Sequence, residues 1–193
     1  FINNLTNVGI GYGFYYSLTN NYFLNEYQHN VQPSNTLIPG QVNVTQSEYE
    51  EIALSQLTEL FTINNLNITE FWFDGGTSDL SPKVAELIKE YQPTMAVFNG
   101  QNVSPNVVRW IGTESGIINQ PIWSLGYNAN TGDPNGTVFC PAGCDTTLQN
   151  GDHWFYTPND SIRDLSTLID IYHDTVGNNG VLELDFAIDR TGN

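Results

Sequence analysis

The chain has 193 residues, 39% hydrophobic and 12% aromatic, which suits one domain with a sizeable core and argues against disorder. Its 21 acidic residues against 5 basic ones give a formal net charge of -16, a field that repels nucleic acid and anionic membrane surfaces. No apolar run approaches the roughly 18 residues of a membrane span, and residues 1–20 have no basic leader with a continuous apolar stretch.

Residues 1–20 read as helix and strand, so the chain is expected to begin inside a larger unit. "VGIGYGFYYSL" (8–18) has the apolar, aromatic character of a buried strand. Residues 20–46 are polar, with Pro33 and Pro39, and predict a long loop. "SEYEEIALSQLTELF" follows as a helix, with Ser47 and Glu50 as a capping box. Its apolar positions Tyr49, Ile52, Ala53, Leu57, Leu60 and Phe61 recur at helical spacing. Glu70–Phe73 is the next strand. Ser81 as cap and Pro82 in the first turn open a helix with Val84, Leu87, Ile88 and Tyr91 inward. "TMAVFNG" (94–100) is a buried strand, and "PIWSLGY" (121–127) is a candidate for another. Residues 128–152 predict a loop. A helix capped by Ser161 follows, with Ile162, Leu165, Leu168, Ile169, Tyr172 and Val176 as its inner face. "GVLELDFAI" (180–188) closes as a strand.

Strands alternating with helices argue an α/β fold with a parallel sheet. No Gly-rich phosphate loop is present, so a (β/α)8 TIM-type barrel fits better than a nucleotide-binding fold. A whole barrel needs eight strands and about 200–250 residues. Residues 1–193 are therefore expected to form the C-terminal part of a barrel catalytic domain, with the first strands absent.

Cys140 and Cys144 lie four apart in "FCPAGC", a spacing that can close a small disulfide loop. Free thiols are the alternative, and two such ligands do not by themselves make a zinc site. Sequons at Asn4, Asn43, Asn67, Asn135 and Asn159 mark candidate glycosylation sites; Asn102 is set aside because Pro105 follows. Together with the sparse cysteines they point to a secreted, extracellular or lysosome- or vacuole-like protein.

The chemistry concentrates in "NITEFWFDGGTSDL" (67–80). Three aromatics run into Asp74, and Gly75-Gly76 follow. A strand-end Asp points into a barrel mouth, where flat aromatic faces can pack on the C–H surface of a sugar. The plainer alternative is a carboxylate that caps a helix or holds a loop. Glycoside hydrolysis needs a second carboxyl group. Glu114 in "VVRWIGTESGI" (107–117), between Gly112 and Gly116 with Arg109 five residues earlier, is the candidate.

"FWFDGG", "YQPTMAVFNG", "VRWIGTESG", "HWFY", "SIRDLSTLIDIYHDTVGNNGVLEL" and "DRTG", in that order, resemble the α-L-fucosidases of glycoside hydrolase family 29. The resemblance runs from "IGYGFYYSL" to "DRTGN". It implies a retaining exo-glycosidase that releases terminal α-L-fucose from a fucosylated glycan. Asp74 would be the nucleophile and Glu114 the acid/base. Tyr16, Trp72 and Arg109 would contact the sugar, and Trp154 and Phe155 would wall its methyl group. No metal or organic cofactor is implied, and oligomeric state is left open. Retention requires the two carboxyl groups roughly 5–5.5 Å apart. Gly143, Gln149 and Asp185 depart from the family pattern and bear on the leaving group. The family's early histidine motifs have no counterpart in the chain. An inactive fragment, or a fucose-binding protein without turnover, is the alternative reading.

Overall fold

The structure is a computed structural model that describes residues 2–63, 67–111, 113–127, 131–151 and 153–192. It divides into two compact units, Phe1–Val107 and Val108–Asn193.

The first unit opens with α1 (Ile2–Asn7) and β1 (Gly13–Ser17). The stretch expected to be a loop then folds into an antiparallel meander of β2 (Asn20–Asn21), β3 (Glu26–Tyr27) and β4 (Asn30–Val31). Its strands are two residues long, too short for a hydrophobic alternation to reveal them. α2 (Gln46–Thr62), β5 (Glu70–Asp74), α3 (Ser81–Tyr91) and β6 (Ala96–Phe98) follow. β1 pairs with β5, and β5 with β6, all parallel, so α2 and α3 are crossover helices of βαβ units.

The α2 cap lies two residues earlier than the sequence predicted. Thr45 accepts from Glu48 N while the Glu48 side chain returns to the Thr45 backbone, a complete capping box. Ser47 and Glu50 have the same spacing but lie inside the helix. Ser81 is likewise the first helical residue, not a cap; its Oγ donates to Ser78 O at 2.6 Å, across a short 3-10 turn. Phe71, Phe73, Val84, Ile88, Met95 and Val97 are buried with Tyr49, Ala53, Leu57 and Phe61 of α2. Gln92 ties the elements together: its Oε1 accepts from Ile68 N at 2.9 Å, and its Nε2 donates to Phe61 O at 2.6 Å.

In the second unit β7 (Val107–Trp110, starting at the boundary) pairs in parallel with β8 (Ala142–Thr147), which pairs in parallel with β9 (Gly180–Asp185). α4 (Leu165–Thr175) crosses between the last two. β8 lies within the predicted loop 128–152, and every one of its residues is buried. No strand forms over 121–127; Leu125 makes only an isolated bridge to Phe139. α4 starts at Leu165 with Asp164 at its N-cap position, so Ser161 precedes the helix. It turns Ile171 and Thr175 inward, while Leu165, Ile169, Tyr172 and Val176, assigned to the inner face from sequence, are exposed together with Ile162.

The expected disulfide is not formed. Cys140 and Cys144 are both buried and both free. Cys144 lies in β8, whereas Cys140 precedes the strand. The Cys144 thiol lies 3.8 Å from Thr175 Oγ1, and burial raises both thiols above their usual pKa. Among the described residues, no helix is long and apolar enough to cross a membrane.

Candidate active site

The period of the strand separates the three aromatics ahead of Asp74. Phe71 and Phe73 point to the helix side and are fully buried. Trp72 and Asp74 share the opposite face. Register places Tyr15 beside Trp72 and Trp72 beside Phe98, and the rings form a continuous stack. Tyr15 and Trp72 centroids are 5.7 Å apart at 23°, and Trp72 and Phe98 are 4.7 Å apart at 16°.

Tyr15 closes this arrangement by donating its phenolic hydrogen to Asp74 Oδ2. Partial burial, the hydrogen bond and the Asp74 charge all raise the Tyr15 pKa, so the hydroxyl stays a donor. The carboxylate backbone is fixed as well: Thr19 Oγ1 donates to Asp74 O at 2.9 Å. Gly75, at φ +72, passes so close that an added Cβ would lie 1.8 Å from that Thr19 oxygen. A side chain there would meet both the left-handed backbone and Thr19.

Tyr16 points the other way. Its hydroxyl donates to Gln56 Oε1 of α2 at 2.6 Å, and burial pushes its pKa up to about 12. The structure therefore places Tyr15, not Tyr16, beside the carboxylate. In "GFYYS" the two tyrosines are adjacent, and only the pairing with β5 decides which one shares the Asp74 face.

The other candidates belong to the second unit. Glu114 is exposed in a turn where Ser115 N donates to Thr113 Oγ1; Gly112 lies outside the described residues. The turn is pinned at Gly116, whose N–H donates to Asp145 O at 3.1 Å and whose carbonyl accepts from Thr175 Oγ1. Arg109 is only 3% exposed. Its Nε donates to Cys140 O at 3.1 Å and its Nη2 to Trp123 O at 2.8 Å, so it braces two loops. Its neighbour Trp110 donates Nε1–H to Asp145 Oδ1 at 2.9 Å. Trp154 and Phe155 are 37% and 86% exposed. His153 beside them pairs with Asp160. Asn4, Asn43, Asn67, Asn135 and Asn159 are all exposed.

Sequence reasoning passed over Asp145 because it lies in β8. Register sets Asp145 beside Glu183 and Thr147 beside Asp185. Burial raises the Asp185 carboxyl above its usual pKa.

Parallel βαβ units with a carboxylate at a strand end define an α/β chain of the (β/α)-barrel class. The family profile described as alpha-L-fucosidase matches residues 1–193. Alpha-L-fucosidase 1 of Arabidopsis thaliana is 32% identical over 164 residues, 75% of this chain and 31% of the plant protein. A candidate alpha-L-fucosidase of Bacteroides thetaiotaomicron superposes with a TM-score of 0.83 at 27% identity, over 100% of this chain and 48% of that one. A glycoside hydrolase 29 family member from a rumen bacterium gives 0.73 at 25% identity, over 98% of this chain and 36% of its own. The chain belongs to the alpha-L-fucosidase family, glycoside hydrolase family 29. It spans about a third of the plant relative's length and about half of the Bacteroides chain.

Proposed function

We propose that the protein containing this chain is a retaining exo-α-L-fucosidase acting on a fucosylated glycan. The observation that carries this reading is Asp74 at the end of β5, on the face of the Tyr15–Trp72 stack, with Tyr15 donating to one of its oxygens. That leaves Asp74 Oδ1 to attack the anomeric carbon. A bond forms between that oxygen and the sugar, and the glycosidic bond breaks. Glu114 gives its proton to the departing oxygen, then takes one from the water that releases fucose. The Tyr15 hydrogen bond orients the nucleophile. Trp72, stacked between Tyr15 and Phe98, offers its ring edge to the sugar, and Trp154 and Phe155 offer apolar surface to its methyl group. Arg109, held by its bonds to Cys140 O and Trp123 O, contacts the sugar. The exposed sequons support a secreted glycoprotein routed to an extracellular or lysosome- or vacuole-like compartment.

The test is release of aryl alcohol from an aryl α-L-fucoside by the full-length protein beside its Asp74→Asn variant. Turnover lost in a folded variant is the expected result. Wild-type turnover in Asp74→Asn removes Asp74 from the mechanism. Absence of turnover in the wild type, with fucose still bound, makes the protein a binding module.

A further inference from the structure

The meander β2–β4 is chemically unlike the rest of the chain. Residues 1–46 contain one carboxylate, Glu26, and no lysine or arginine, although the whole chain holds 21 acids. Glu26 is only 3% exposed, so this stretch shows solvent almost no fixed charge. What it does show is aromatic and amide.

The register explains why. Asn21, Glu26 and Val31 share the face toward α2, where Val31 N donates to Gln46 Oε1 at 2.9 Å. Asn20, Tyr27 and Asn30 form the opposite row, and all three are exposed. Tyr27 is 57% exposed and sits between the two amides. Tyr22 and Phe23, in the β2–β3 turn, are 69% and 58% exposed. The amides are oriented by their neighbours: Asn20 Oδ1 accepts from Gln28 N at 3.4 Å, and Asn30 Nδ2 donates to Gln28 O at 2.7 Å. These bonds use the acceptor of Asn20 and one donor of Asn30.

The row is rooted at the nucleophile. His29 N donates to Thr19 O at 3.2 Å, and the Thr19 hydroxyl bonds the Asp74 carbonyl. A ring between amides suits a sugar, whose C–H face packs on aromatics while its hydroxyls bond amides. Near-absence of charge selects against an ionic partner.

We infer that the exposed face of this meander, with Tyr27 between Asn20 and Asn30 and Tyr22 and Phe23 beside them, binds the neutral oligosaccharide that leaves when fucose is released. The inference rests on the fucosidase reading and deepens it by naming the leaving-group side of the substrate.

The experiment compares the full-length protein with Tyr22→Ala/Phe23→Ala/Tyr27→Ala, and with the milder Tyr27→Ser. The substrates are a neutral fucosylated trisaccharide and 4-nitrophenyl α-L-fucoside. The expected result is a trisaccharide KM raised about tenfold or more in the triple variant, with aryl fucoside kinetics within about twofold of wild type. Unchanged trisaccharide kinetics in both variants would overturn the inference and leave the fucosidase reading intact. Self-association abolished by the triple variant, with unchanged sugar kinetics, would assign the face to a second copy and overturn it equally. Wild-type protein inert on the aryl fucoside would sink the fucosidase reading instead. Calorimetric binding of the trisaccharide by wild type but not by the triple variant would then support the face on its own.

Discussion

At Tyr15 and Tyr16 two neighbouring phenols take opposite tasks. One donates to the Asp74 carboxylate and the other to Gln56 on the helix side. Tyr15→Phe keeps the ring stacked on Trp72 but removes a hydrogen bond to a charged group. Its kcat should fall roughly ten- to a hundredfold with little change in melting temperature. Tyr16→Phe removes a bond to a neutral amide and should cost about 1 kcal/mol of stability with activity retained. Steady-state kinetics and thermal unfolding of both variants check the pair, and the reverse pattern would return the role to Tyr16. The residue types of this site were legible in the sequence: a strand-end Asp, aromatics ahead of it and glycines behind. Which tyrosine serves it was not, because a one-residue difference in facing is set by pairing with β5.

The same limit explains which elements were legible. α2 and α3 announce themselves through helical apolar periods, and β5 and β6 through short apolar, aromatic runs. β8 reads "AGCDTT", with neither alternation nor aromatic content, yet all six residues are buried. Small side chains suit a crowded strand between two neighbours, and that crowding is a tertiary fact. The α2 boundary was ambiguous for another reason: Thr45–Glu48 and Ser47–Glu50 both satisfy the capping pattern, and the structure uses the first. Thr45→Ala should therefore cost about 1 kcal/mol in denaturant unfolding. Ser47→Ala should stay within about 0.5 kcal/mol. Equal losses would contradict the assigned cap.

Between elements, Glu26 links the meander to α2 and makes stability depend on pH. Burial raises its carboxyl above the usual value, and His29, Tyr49 and Asn21 offset part of that rise. A carboxyl with a raised folded pKa favours the protonated native state. Its contribution is fully present below the unfolded pKa, about 4.5, and is lost as pH climbs through the folded value. Melting temperature should therefore decline over that window. Glu26→Gln should flatten this part of the profile, and an unaltered slope in the variant would remove Glu26 as its cause.

On the scale of the whole molecule, composition, alternation of elements and the ordered motifs were enough to place the chain in a barrel family, and the superposition bears out that fold. The free thiols were not legible, because the FCPAGC spacing fits a disulfide loop as well as two separate buried thiols. The central claim is that Asp74 is the nucleophile of a fucosyl transfer to the enzyme. The most direct measurement is peptide mass spectrometry of the full-length protein after reaction with a 2-deoxy-2-fluoro-α-L-fucosyl donor, which slows release of a covalent intermediate. The account predicts one added fluorofucosyl group on the peptide carrying Asp74, at the Asp74 carboxylate. A label on another carboxylate, or rapid turnover with no covalent adduct in a time-resolved quench, would contradict it.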